Sequence, residues 1–199
     1  MLLQQPTGGV LHSVCYDRRE SYRESLREFR KRGHRKVFFV SYEYDPYAEL
    51  FLQIAAEEKV EAENFLFSTT RRGQMERIPE FAGREPAALL YNINNAVLLD
   101  RIFDFLRELG RERLPEVIEG YSRPHEEIFA GGNVIGYIHV PFQELIKQIA
   151  ARSVEIAKHP GETHQEILVP THFVRPEEIG AVRERDRQDL FFISMEEVD

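Results

Sequence analysis

Lys36-Val37-Phe38-Phe39-Val40-Ser41 is a short apolar run of β-forming residues. From Pro46 to Val60 it is followed by apolar positions at helical spacing, with proline at the expected first turn. Upstream, Val10 to Cys15 has the same strand character, and Glu20 to Lys31 sets Tyr22, Leu26 and Phe29 at helical spacing before the stop signal Gly33. Downstream the alternation repeats. Asn64 to Thr69 reads as a strand, Gln74 to Phe81 as a short helix, Ala87 to Ile93 as a strand, and Asn95 to Leu109 as a long helix closed by Gly110. Val117 to Tyr121 and Asn133 to His139 read as two more strands, and Ile167 to Val169 as a last short one. Between them Pro141 to Lys158 predicts a helix with Phe142, Leu145, Ile149 and Val154 mostly on one face. Strands that alternate with helices and are nearly continuous apolar runs predict an α/β fold, a parallel sheet flanked by helices with right-handed crossovers. Ligands of such sheets sit beyond the carboxyl ends of the strands.

Composition narrows the function classes. A chain of 199 residues with 42% hydrophobic and 30% charged residues can bury a substantial core, in one domain or two small lobes. Its 34 acidic against 26 basic residues give a net charge of -8, which opposes general attraction to a phosphate backbone. The single cysteine, Cys15, excludes an internal disulfide framework and a cysteine-based zinc site, and suits a reducing compartment. The opening Met-Leu-Leu-Gln-Gln-Pro has neither a basic nor an apolar signal region, and no stretch reaches the roughly 18 apolar residues of a membrane span. A cytoplasmic location without membrane contact is the expectation.

Three phrases, in order, resemble the effector (sensor) domain of the lactose/galactose-repressor (LacI/GalR) family of bacterial transcription regulators, whose fold is that of the type I periplasmic binding proteins. The first runs from Ser13-Val14 through Asp17 and a helix to Arg32-Gly33-His34-Arg35-Lys36-Val37. The second runs from Ala87 through Tyr91-Asn92-Ile93-Asn94-Asn95 and a helix to Leu114-Pro115 and Gly120-Tyr121. The third runs from Val140-Pro141 to Lys158 and on through Ile167-Leu168-Val169-Pro170-Thr171 to Val174-Arg175. The resemblance implies a small-molecule effector such as a sugar, a homodimer, no cofactor and no catalytic residues. Ahead of the phrase around Asp17 the family carries a helix-turn-helix DNA reader, a hinge helix and several strands. DNA would therefore be reached only through a reader outside this sequence or in a partner chain. The division it implies is a partial N-lobe over residues 1–34, an α/β C-lobe over 35–132, a returning strand, helix and final strand over 133–175, and a charged tail over 176–199 that includes the apolar patch Leu190 to Met195. A partial lobe is expected to leave apolar edges uncovered.

Carried onto this sequence, the family's effector-binding positions are Asp17, Asn95 and Ser122, with Tyr42 and Tyr44 as an aromatic stacking wall. Three polar groups of the family are replaced. Ala48 or Glu49 stands where it has an arginine, Ala96 where it has the aspartate of Asn-Asp, and Ser122-Arg123 where an aspartate follows the Gly-aromatic pair. Asp17 and Asn95 each also read as a helix N-cap. The two other readings are a transport-type sugar-binding protein, which would need export, and a sugar-nucleotide enzyme, which would need phosphate-cradling glycines or paired acids at strand ends.

Other constellations read as structural. His159, His164 and His172 with Glu162 and Glu166 fit no metal-ligand spacing. Gly8-Gly9 and Gly131-Gly132 lack the strand-loop-helix setting that cradles phosphate. Cys15 lies in an apolar strand without a base beside it. The basic cluster Arg27, Arg30, Lys31, Arg32, His34, Arg35 and Lys36 is interleaved with glutamates and reads as a solvated helix end.

Overall fold

The computed structural model describes residues 12–122, 133–159, 164–182 and 184. The elements in order are β1 (Ser13–Asp17), α1 (Arg19–Lys31), β2 (Lys36–Tyr42), α2 (Ala48–Glu57), β3 (Glu61–Phe67), α3 (Arg71–Gly83), β4 (Ala88–Tyr91), α4 (Ala96–Glu108), β5 (Glu116–Ser122), β6 (Val134–His139), α5 (Phe142–Lys158), β7 (Glu166–Pro170) and β8 (His172–Val174). The strands form a six-stranded sheet in the order β3-β2-β4-β5-β6-β8 and a separate two-stranded sheet, β1-β7. All pairings are parallel except β6 with β8. The expected α/β architecture is present, with one antiparallel edge. Only Thr171 separates β7, on the small sheet, from β8, which runs antiparallel to β6 at the edge of the larger one.

The larger sheet is covered on both faces, which explains its continuous apolar runs. On one face α3 and α4 bring Ile78, Phe81, Leu98, Leu99, Ile102 and Phe103 onto Phe38, Val40, Phe65, Phe67 and Leu89. On the other, α1 and α2 bring Tyr22, Leu26, Phe29, Phe51 and Ile54 onto Val37, Phe39, Leu90, Ile118 and Ile138. Alternate residues of β2 thus face opposite cores, as the two-residue period of a strand demands. Helix α1 packs on the larger sheet because its apolar stripe is wide enough to seal the face beside α2. β6 and β8 also join that sheet.

The second unit is small. Leu145 of α5 packs on Val14 and Val169, with Ile149 and Ile167 partly buried around them. Of the apolar face expected on α5, Phe142 and Val154 stay 39% and 52% exposed, and Ile146 joins them at 43%. The charged tail begins by tucking Ile179 and Val182 against Tyr137 and Val174. Gly8-Gly9, Arg123, Gly131-Gly132, Glu162 and the patch from 190 to 195 lie outside the described residues.

Several boundaries differ from the sequence reading, each for a local reason. β3 starts three residues early, at Glu61, because its whole length pairs with β2 while its acidic positions meet Lys36, 2.8 Å from Glu63 and 3.5 Å from Glu61. α3 gains a first turn because the Thr70 hydroxyl accepts from the Gly73 N–H. α2 starts late, since the Asp45 carboxylate accepts from the Tyr47 N–H and sets a turn ahead of the helix.

Cys15 is 1% exposed, and burial, followed by the nearby Glu166 and Asp17 carboxylates, pushes its thiol from 9.0 up to about 11. That difference leaves about 100-fold less thiolate than in the unfolded chain at mildly alkaline pH. Iodoacetamide at pH 8 is therefore expected to alkylate Cys15 at least about 100-fold more slowly in native than in urea-unfolded protein, read by mass spectrometry. Equal rates would show that β1 is not packed as described.

Candidate functional site

The connection leaving β2 runs through α2 to β3, whereas the connection leaving β4 runs through α4 to β5 on the other side. The order reverses between β2 and β4, and a crevice opens at such a switch point beyond the carboxyl ends of the strands. Two loops border it, 43–47 after β2 and 92–95 after β4.

The centre of this crevice is occupied by the protein's own polar groups. Asn92 is 4% exposed, its backbone N–H donates to Val40 O at 2.7 Å, and its side-chain Nδ2 donates to Asp45 Oδ2 at 2.7 Å. The other Asp45 oxygen accepts from the Tyr47 N–H at 2.9 Å. The Asn92 Oδ1 is buried without a hydrogen-bond partner among the described residues and lies directly over Gly120, where a Cβ would collide with it. From the end of the small sheet, the fully buried Arg18 reaches the larger one and donates from Nη1 to Gly120 O at 2.6 Å. Its guanidinium lies 5.1 Å from the Tyr47 ring centroid and 5.7 Å from that of Tyr16. Tyr47 closes the arrangement by donating its hydroxyl to Tyr16 O at 3.2 Å. A buried cation is costly unless hydrogen-bonded and enclosed by aromatic faces, and Arg18 has both.

Beside this filled centre, on the α3/α4 side, a cleft of about 450 Å³ remains, lined by Tyr42, Thr69, Arg71, Gln74, Asn95 and Arg101, with Met75, Val97 and Leu98 as its apolar part. Gln74 is 5% exposed and donates to the Tyr42 hydroxyl at 3.4 Å. Asn95 caps α4, its Oδ1 accepting from the Leu98 N–H at 3.2 Å, and its backbone O accepts from the Tyr91 hydroxyl at 2.7 Å. Burial raises the Tyr91 phenol well above its usual range, so it stays a donor at all physiological pH.

Of the five residues picked out from sequence, Tyr42 and Asn95 come together in this cleft. Asp17 ends β1 and is half-buried, its Oδ1 accepting from the N–H of Arg19 and from the Arg19 guanidinium. It therefore satisfies a first-turn donor of α1, although β1 extends through it and Arg18 takes the cap position. Tyr44 is 94% exposed at φ 69°, and it builds no wall with Tyr42. Ser122 is the last residue of β5, opposite His139 of β6. Arg18, Asp45, Arg71, Gln74, Asn92 and Arg101 were missed. Asp45-Pro46-Tyr47 carried a readable turn signal, whereas nothing in the sequence separates Arg18 from its exposed neighbour Arg19.

A larger hollow, about 910 Å³, lies at the amino ends of the strands beside Asn133. Several of its polar groups pair, with Arg32 and His34 at 3.2 and 2.9 Å from Glu116 and Arg111 at 2.7 Å from Glu85. It stands at the end of the sheet where such folds do not take ligands. Within the basic cluster, Arg27 pairs with Glu58 at 2.8 Å and Arg32 with Glu28 at 3.0 Å. His164 packs edge-on against His12, and no group of three or more His, Cys, Asp or Glu that could hold a metal occurs among the described residues. Nor is any described helix long and apolar enough to cross a membrane.

Neither a protein-family model nor a curated protein matches the sequence. Among solved structures, the LacI family transcriptional regulator from Enterococcus faecalis V583 with bound ribose matches with a TM-score of 0.62 and 15% identity, over 87% of this chain and 65% of its own. The trehalose repressor from Escherichia coli matches at 0.59 and 16%, over 86% and 67%. The arabinose-transporter periplasmic binding protein from Shewanella sp. ANA-3, bound to arabinofuranose, matches at 0.64 and 14%, over 95% and 67%. The chain thus spans about two thirds of the length of these proteins. Its fold is that shared by the sensor domains of LacI-type regulators and by the type I periplasmic sugar-binding proteins.

Proposed function

We propose that this chain is the ligand-sensing domain of a LacI-type bacterial transcription regulator, and that its effector is a sugar or sugar-like small molecule. The observation that carries the reading is the cleft at the switch point, where Tyr42, Gln74 and Asn95 converge on a partly apolar hollow. The sugar-bound regulators and transport protein of the same fold support the effector class. Asp17, at the end of β1, and Ser122, at the end of β5, complete the proposed binding edge, and Tyr44 folds over it only when an effector is present. The domain acts in the cytoplasm as a homodimer and meets DNA through a DNA-reading domain. Arg18 ties the two sheets together across the crevice, so an effector that favours one arrangement of the sheets shifts the regulator toward it.

Thermal unfolding with ribose, arabinose, cellobiose, trehalose, hexose phosphates and purines tests the reading. A ligand at 100 times its Kd adds about 2.7 kcal/mol, which for a chain of this size raises Tm by roughly 5–10 °C. Asn95→Asp keeps a capping oxygen and removes the amide donor, so it is expected to abolish the shift while preserving the fold. Asn95→Ala is expected to lose about 1 kcal/mol of capping as well. A folded protein whose Tm responds to none of these compounds would sink the proposal.

A further inference from the structure

Among the described residues, the cleft between the amino ends of α3 and α4 is lined by two arginines and no acidic side chain. That is unusual in a chain with 34 acidic and 26 basic residues. Elsewhere on the same two helices arginines are paired, Arg72 with Glu76 at 2.7 Å, Arg77 with Glu80 at 3.1 Å and Arg107 with Asp104 at 2.9 Å. Arg71 and Arg101 have no ion pair or side-chain hydrogen bond among the described residues. Thr69, the buried Gln74 and Tyr42 line the same cleft, the Gln74 amide donating to the Tyr42 hydroxyl. The caps on α3 and α4 each satisfy one first-turn N–H, so the amino ends keep a partial positive charge toward the cleft mouth. Its volume of about 450 Å³ falls within the span of about 300–1,000 Å³ typical of small-molecule sites.

We infer that the cleft takes an anionic effector, a sugar carrying a phosphate group, with Arg71 and Arg101 on the phosphate and Tyr42, Gln74 and Asn95 on the sugar hydroxyls. Two guanidinium forks match the geometry and charge of a dianionic phosphate, and the neutral polar floor matches hydroxyls. The inference rests on the effector-sensing reading and specifies its ligand. It also accounts for the polar groups replaced at Ala48 and Ala96, since binding is drawn to the α3/α4 side of a crevice whose centre Arg18 fills.

Titration calorimetry at low ionic strength with glucose 6-phosphate, ribose 5-phosphate, glucose, ribose, gluconate and inorganic phosphate tests it. The sugar phosphates are expected to bind at least about tenfold more tightly than the unphosphorylated sugars, and R71Q and R101Q to weaken them about tenfold each. R71K/R101K keeps the charge and is expected to keep the preference, which separates lost binding from a lost fold. Lys147→Gln, on the exposed face of α5, serves as the unchanged control. Neutral sugars binding as tightly as their phosphates would overturn the anion inference and leave the sensing reading standing. Inorganic phosphate and gluconate matching the sugar phosphates would support the arginine contacts and overturn the sugar part of both. Binding by none of the probes overturns the inference and the reading together.

Discussion

Replacing Phe81 with alanine is expected to lower the unfolding free energy by about 3–5 kcal/mol, the cost of emptying a fully packed aromatic site. Phe81 is fully buried, with its ring centroid 4.8 Å from Phe65, 5.9 Å from Phe38 and 6.0 Å from Phe67. It is the main anchor of α3, a helix that needs one: Pro79 lies inside it and supplies no backbone N–H to the helical ladder. Tertiary burial therefore holds the element that carries Arg71 and Gln74 to the cleft. Urea denaturation followed by circular dichroism measures the loss. A change below about 1 kcal/mol, the scale of an ordinary substitution, would mean that α3 is not seated on the sheet as described. Phe81→Leu retains most of the apolar contact and is expected to fall well short of the alanine variant.

Gly120→Ala is the second large effect, and it strikes the crevice itself. A Cβ at Gly120 would run into Asn92 Oδ1 and stand 2.9 Å from Asn92 Cα. The side chain alone could turn away, but the Cα can move only if β4 and β5 separate, and these strands pair over Ala88↔Glu116 to Tyr91↔Glu119. Overpacking of this kind typically costs about 1–3 kcal/mol and occasionally more, and the backbone contact places this site at the upper end. Because Gly120 O holds Arg18 and Asn92 holds Asp45, the same methyl is expected to disturb ligand response along with stability. A Gly120→Ala variant with an unchanged urea midpoint would overturn the close approach of the two strands.

Individual residues show where legibility in the sequence stopped. Tyr22, Leu26 and Phe29 announced a helix through their spacing, but not which sheet it would cover, because an apolar stripe says only that it must be buried. Asn95 was legible as a cap and a site candidate because both roles depend on its position ahead of a helix. The placement of Tyr44 was not legible: two residues beyond a strand end the chain enters a positive-φ turn that leaves the side chain in solvent. Arg71 and Arg101 are 30 residues apart in a chain rich in charged helix faces, and only the juxtaposition of two helix starts makes them a pair.

By itself the sequence determined the alternation of strands and helices, the parallel sheet with cores on both faces, and the carboxyl ends of the strands as the place to look for a ligand. These follow from local periodicity and from the burial of apolar runs, which act over a few residues at a time. The tertiary structure alone decided the strand order, the return of β8 against β6 and the bridge from Arg18 to Gly120. It also decided the filled centre of the crevice and the arginine-lined cleft beside it. Such features depend on which distant segments pack together, and a charged side chain becomes a buried tie or a ligand contact only through the neighbours that packing brings to it.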